Sequence, residues 1–412
     1  MDLLTRKRNL FIAVTFAVVL VLLGLGERLL ERAASAQARS SRQAPRFEVD
    51  PLWPKPLPNH WLLGSTIGVW VDEQDHVWII HRSSATLGNN EKGLELSPPT
   101  GECCAGAPPV LEFDAAGNLL RHWGGPGQGY EWPDSNHGIF VDHKGNVWIG
   151  GNGGPDAHVL KFSKDGKFLM QSGHKGTRPG PKNAQGQATW LANSNDPVNF
   201  GRVAKIFVDP KDNEAYLSDG YLNKRVAVID ADTGKLKRYW GAYGNKPDDT
   251  NQGPYKPDAP PLQQFRSPVH CADLANDGLL YVCDRVNDRI QVFQKDGKFV
   301  KEAFIAKKSL GEGSVWDVAF SKDPKQTYLY LADGRNMKVH ILLRDTLEEL
   351  TTFGDGGRQP GQFYGVHSIA TDSKGNIYTT ETYEGKRVQK FVYRGLGPVS
   401  KQDQGVLWPA TK

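Results

Sequence analysis

The stretch His137–Gly150, HGIFVDHKGNVWIG, decides the fold. An alternating apolar run ends on an aspartate, a Lys-Gly-Asn turn follows, and a second run of aromatic and β-branched residues leads away, which reads as strand, tight turn, strand. The same pattern recurs as IGVWVDEQDHVWII from Ile67, AKIFVDPKDNEAYLSD from Ala204, HCADLANDGLLYVCD from His270, WDVAFSKDPKQTYLYLAD from Trp316 and HSIATDSKGNIYTTE from His367. Most units continue into a third strand and a further turn, as in VLKFSKDGKFLMQSG from Val159, RVAVIDADTGKLKRYWG from Arg225 and RIQVFQKDGKFVKEAF from Arg289. Asp-Gly and Thr-Gly between alternating strands are hairpin signals. Six repeats of a small antiparallel sheet predict an all-β chain, a six-bladed β-propeller.

The rest of the chain frames this unit. Of its 412 residues, the span 63–392 carries the repeats. Net charge is only +4, with basic and acidic residues interspersed, so there is no nucleic-acid footprint and no nucleic-acid partner is expected. Arg6, Lys7 and Arg8 form a basic cytoplasmic flank (1–9) before an apolar run from Leu10 to Gly26, expected as an N-terminal hydrophobic helix. That run reads as a signal peptide or a transmembrane anchor, and the ASAQA stretch at Ala34–Ala38 resembles a cleavage site. Either way the basic flank places the rest outside the cytoplasm, on the periplasmic or secreted side, with a membrane contact if the segment is uncleaved. Residues 27–62 read as a linker and extended lead-in, and 393–412 as an irregular tail.

Aligning the units on their first turn isolates one register position, five residues before the aspartate of the VD pair. It holds Ile67, His137, Ala204, His270, Trp316 and His367 in turn. The histidines therefore occupy alternate blades. First strands line the channel of a propeller, so three imidazoles converge on its axis. Three neutral histidines suit Zn2+ or another divalent metal and leave a position open, as catalytic rather than structural sites do. Polar channel residues hydrated by water are the plain alternative.

Other residues separate into structural and non-structural sets. Asp219 with Arg225, Asp284 with Arg289, Asp333 with Lys338 and Glu381 with Arg387 recur at one register and are expected as ties within a blade. Arg82 and Arg285 share a slot just past the second strand, and Tyr221 follows the equivalent Gly220. Second strands return to the rim where first strands begin, so these three side chains are candidates to overhang the metal. A guanidinium there can hold a carboxylate, and a phenol beside a metal and an arginine can have its pKa lowered and act as a base. Cys271 and Cys283 are symmetric about Asp277, as a cross-strand disulfide requires; Cys103 and Cys104 are left as a vicinal bridge, free thiols or metal ligands.

The runs FVDPKDNEAYLSDGYLNKRVAVID (207–230) and RSPVHCADLANDGLLYVCDRVNDRIQVF (266–293) resemble the peptidyl-α-hydroxyglycine α-amidating lyase family, within the NHL-repeat propellers. The resemblance implies a zinc held by His137, His270 and His367, a catalytic Tyr221, and active-site Arg82 and Arg285. It implies cleavage of an N-acyl or peptidyl α-hydroxyglycine, a small carboxylated α-hydroxy amide, to an amide and glyoxylate. The chain departs from the family in three places. Ser368 stands where an acidic residue would serve a structural Ca2+, which leaves that ion doubtful. Leu222 replaces a half-cystine, and the segment Ser83–Pro109 has no counterpart. Two other readings stand beside the lyase: an extracytoplasmic propeller scaffold with an unidentified protein partner on a rim, and a metal-dependent hydrolase of lactones or esters.

Overall fold

The computed structural model describes residues 11–12, 14–16, 18–28 and 42–409. Six four-stranded antiparallel sheets follow one another around a channel. Their inner strands are Thr66–Val71, Asn136–Val141, Val203–Asp209, Val269–Leu274, Asp317–Phe320 and Val366–Thr371, which number the blades one to six.

The repeated VD pair has a local cause. Asp142 Oδ1 accepts the backbone N–H groups of Lys144 (2.9 Å) and Asn146 (2.8 Å), closing the turn, while its Oδ2 accepts the indole N–H of Trp148 (2.9 Å). Asp72 serves Gln74, His76 and Trp78 in the same way, and Asp372 serves Lys374, Asn376 and the hydroxyl of Tyr378. One carboxylate thus fixes the turn and docks the aromatic residue of the next strand, which is why aspartate and aromatic recur together. Apolar side chains fill the seams between blades: Phe47, Tyr330, Phe353 and Phe391 pack into one such cluster.

The sixth blade corrects the expected boundaries. Its outer strand is Gln43–Asp50, which pairs antiparallel with Arg387–Pro398 and closes the ring with the chain's own beginning. The lead-in placed at 27–62 is therefore partly blade, and the tail placed at 393–412 starts within a strand and then lies back on the fold, with Thr352 bridging Asp403 and Val49 N–H donating to Leu407 O (2.8 Å). The described residues between 11 and 28 are helical. Among the described residues no helix is long and apolar enough to cross a membrane. Among the described residues the helix expected at the N-terminus is thus a short one. The basic flank and the Ala34–Ala38 stretch lie outside the described residues.

Three of the four expected blade ties form. Arg225 meets Asp219 at 2.7 Å, Arg289 meets Asp284 at 2.7 Å and Arg387 meets Glu381 at 2.5 Å. Blade five differs. Lys338 turns outward to Asp403 (2.5 Å), and the buried carboxylate of Asp333 instead meets His340 Nε2 at 3.1 Å, while His340 Nδ1 meets Glu349 at 2.7 Å. A lysine carries one flexible ammonium and was drawn to the tail, whereas a histidine between two carboxylates can donate from both ring nitrogens. Cys271 and Cys283 face one another across blade four and are bonded, as are Cys103 and Cys104.

Burial alone would lower the His340 pKa, but its hydrogen bonds to Asp333 and Glu349 raise it to about 9. The protonated ring contributes stability that is full below the ordinary value of 6.5 and lost as pH rises through about 9. Thermal unfolding of the wild type should therefore show a loss on the order of 3 kcal/mol across that window. In His340→Gln that slope should flatten; an unchanged pH profile would show that the ring is neutral in the fold.

Candidate functional site

The three register histidines are buried and meet at the channel axis. Their candidate ligand nitrogens lie within 4.8 Å of one another. Ring centroids are 5.2 Å apart for His137 and His270, and 4.8 Å apart for His367 from each of the others.

What aims them is a backbone contact repeated three times. His137 Nδ1 is 2.6 Å from Ala204 O, His270 Nδ1 is 2.5 Å from Trp316 O, and His367 Nδ1 is 2.6 Å from Ile67 O. The three acceptors are the residues holding the same register position in the intervening blades. A carbonyl only accepts, so each Nδ1 carries the proton and each Nε2 presents a lone pair to the axis. Such an outer hydrogen bond fixes tautomer and ring orientation in metal-binding histidines. Burial holds all three rings well below the ordinary histidine pKa, His367 at about 3; neighbouring imidazoles and the nearby Arg285 and Arg82 push in the same direction. All three are neutral at physiological pH.

Tyr221 stands over this triad. Its hydroxyl is 3.0 Å from His137 Nε2 and 2.9 Å from His270 Nε2, and it accepts from Arg285 Nη1 at 3.1 Å. A phenol has one proton and here faces two lone pairs, so this pocket has a surplus of acceptors that a cation would satisfy. The residues present therefore fit a divalent metal ion. Without a metal, burial raises the phenol's pKa, and the attraction of Arg285 and Arg82 offsets this only in part. By itself Tyr221 is a neutral phenol.

The two arginines are brought to the same mouth but in different company. Arg285 lies 4.6 Å from the Trp316 ring centroid and is ion-paired through Nη2 to Glu312. Arg82 donates through Nη2 to the side-chain oxygen of Asn152 (2.9 Å), its Nε is buried without a partner, and among the described residues no carboxylate lies within ion-pair distance of it. Burial lowers its pKa, with Tyr221, Tyr383 and Asp156 pulling the other way.

Reading the repeat alone missed several supporting residues. His81, next to Arg82, accepts the N–H groups of Gly64 (3.0 Å) and Ser83 (3.1 Å) at Nδ1 and donates from Nε2 to Pro108 O (2.9 Å), pinning both ends of the Ser83–Pro109 segment. Its carbonyl receives Asn136 Nδ2 (2.8 Å), one residue before His137. The segment itself is a chain of short turns bound to blade six through Glu91 and Lys386 (2.7 Å). Glu312 and Asn152 carry no repeat signal, since they matter only through partners far away in sequence.

An acidic ligand for calcium is a different matter. Beneath the histidines a small cavity is lined by Ser368, Asp317 and Lys205, and the Lys205 ammonium already sits 2.6 Å from Asp317. These residues do not fit a second ion.

No family model matches the chain. It is 26% identical over 382 residues to mouse NHL repeat-containing protein 3, covering 88% of this chain and 89% of that one. It is 26% identical over 249 residues to rat peptidylglycine alpha-amidating monooxygenase, covering 60% of this chain and 22% of the relative, so it spans about a fifth of that protein's length. Among solved structures it resembles a streptogramin B lyase at 13% identity with a TM-score of 0.47, covering 86% of this chain and 99% of that one. Likeness of that degree says nothing of activity. The chain is a six-bladed propeller homologous, at low identity, to NHL repeat-containing protein 3 and to a stretch of the amidating monooxygenases.

Gly138 shows how tightly the triad is built. A Cβ there would lie 2.5 Å from Ala204 O, the acceptor of His137, and 2.9 Å from Lys205 Cα. Gly138→Ala should cost about 1–3 kcal/mol by overpacking, read as a lower Tm; an unchanged Tm would mean that the seam between blades two and three is looser than described.

Proposed function

We propose that the chain is a metal-dependent lyase that cleaves a small carboxylated α-hydroxy amide, an N-acyl or peptidyl α-hydroxyglycine, into an amide and glyoxylate. The observation that carries this reading is the meeting of three neutral imidazoles at the axis, two of them in contact with a Tyr221 hydroxyl that also accepts from Arg285. Homology to a stretch of the amidating monooxygenases supports it.

His137, His270 and His367 would hold the ion, zinc by the chemistry of the donor set. Bound there, a divalent ion would supply positive charge that lowers the pKa of the substrate hydroxyl and of the adjacent phenol. Deprotonated to the phenolate that the ion and Arg285 would favour, Tyr221 takes the proton of the substrate hydroxyl. As the carbon–oxygen bond becomes the aldehyde carbonyl of glyoxylate, the carbon–nitrogen bond breaks, and Tyr221 returns the same proton to the departing amide nitrogen. No water or redox partner is consumed.

The partners of the arginines suggest their division of labour. Arg285, tied to Glu312 and Tyr221, orients the phenol and stabilises its anion. Arg82 has guanidinium edges without a carboxylate partner and is the group suited to bind the substrate carboxylate. We further place the domain outside the cytoplasm, as a signal peptide would direct; two bonded cysteine pairs accord with an oxidising compartment.

A second reading, a non-catalytic propeller scaffold, draws on the nearly full-length match to a protein named only for its repeats. Turnover decides between them. Purified protein with one zinc should release glyoxylate from an N-acyl α-hydroxyglycine. Tyr221→Phe should lower kcat by about 10²–10⁴-fold, whereas Arg82→Ala should mainly raise KM. Metal-replete protein inert toward α-hydroxyglycine amides, lactones and esters would favour the scaffold. His270→Ala should lose most of the bound metal; full retention would show that the channel histidines are not its ligands.

A further inference from the structure

One buried charge cluster takes no part in this chemistry. Lys205, Asp273 and Asp317 come from the inner strands of blades three, four and five, with side chains 7%, 5% and 2% exposed. The Lys205 ammonium donates to Asp273 at 3.0 Å and to Asp317 at 2.6 Å. Asp317 is further held by the Ser368 hydroxyl (2.6 Å) and by the N–H groups of Val318 (2.9 Å) and Ile369 (3.1 Å). The lysine follows Ala204, the aspartate follows Trp316 and the serine follows His367, so the cluster sits one residue along from the groups that orient the triad.

Two carboxylates facing one another in a buried channel need positive charge. Isolated, they would be a place for a hard divalent cation, which takes carboxylate oxygens as ligands. Here the space between them is taken by an ammonium that belongs to the chain. One ammonium balances one carboxylate. The second sits in a site that disfavours its charge: burial raises the pKa of Asp273, with Lys205 lowering it and Asp317 raising it. The ammonium occupies the place between the two carboxylates that a cation would take. The position next to the third histidine is correspondingly Ser368, which can donate to Asp317 but brings no charge.

We propose that the Lys205 ammonium is a tethered cation filling a carboxylate site built from Asp273 and Asp317, so that the channel has one exchangeable metal site, the histidine triad, and takes up no calcium. The tether makes the floor of the channel independent of ion supply while it closes the space under the triad. This inference does not rest on the lyase reading.

The test uses the full chain, wild type and Lys205→Met, each equilibrated with zinc and then with calcium chloride. Elemental analysis counts both metals, and thermal unfolding is followed with and without calcium. The wild type should carry zinc alone, with a Tm indifferent to calcium. Lys205→Met should gain one calcium per chain and a Tm that rises with calcium, and adding Asp317→Asn should abolish both gains. A variant that folds only with calcium would also support the proposal. Wild-type calcium uptake lost in Asp317→Asn would overturn it, as would a Lys205→Met chain that folds without taking calcium or that stays unfolded at every calcium concentration. Zinc content and turnover are read separately, so failure of the lyase reading leaves this result interpretable.

Discussion

Each channel histidine is held by an N–H···O=C bond that crosses a blade seam, from blade two to three, four to five and six to one. The site depends on this contact. It fixes the tautomer, turns the remaining lone pair toward the axis, and ties the orientation of each ring to the spacing of two inner strands. The odd-numbered blades supply acceptors rather than imidazoles; the side chains of Ile67 and Ala204 leave room, and the Trp316 ring packs against Arg285. The last of the bonds, His367 to Ile67, exists only because the ring is closed, so the pairing of Gln43–Asp50 with Arg387–Pro398 is a condition of the site as well as of the fold.

The surroundings set the electrostatic character of the mouth. Three buried neutral imidazoles and a buried phenol offer lone pairs; two guanidiniums offer positive charge without protons to lose. Arg285 is bonded to Glu312 and Tyr221, whereas Arg82 is bonded to Asn152 and has no carboxylate partner among the described residues. Below the triad the balance is reversed, with acidic groups in excess and an internal ammonium between them. The channel is thus layered: two guanidiniums at the mouth, a ring of neutral imidazoles, and a charged floor closed by the chain itself.

Much of this was legible in the sequence because it is repeated. The aspartate of the VD pair recurs where it both closes a turn and docks an aromatic ring, and aligning the first turns located Ile67, His137, Ala204, His270, Trp316 and His367 in register. Arg82, Arg285 and Tyr221 stood out as departures from the same register. What escaped was non-repetitive or long-range. A lone strand such as Gln43–Asp50 carries no turn to announce it, and its partner lies more than three hundred residues away. Lys338 and Asp333 had the spacing of a tie, but His340 reached the carboxylate first. Burial, invisible in a local pattern, opposes the pull of Arg285 and Arg82 on the Tyr221 phenol. The Lys205 cluster joins residues from three blades, each unremarkable alone.

The central claim is that three histidines, and no carboxylate or thiolate, coordinate a divalent ion at the channel axis. X-ray absorption at the zinc edge of the purified wild-type chain tests it most directly. The account predicts three imidazole nitrogens at about 2.0–2.1 Å, with their outer-ring scattering, and an oxygen completing the shell. A shell dominated by carboxylate oxygens or containing sulfur, or a chain that binds no zinc, would contradict it.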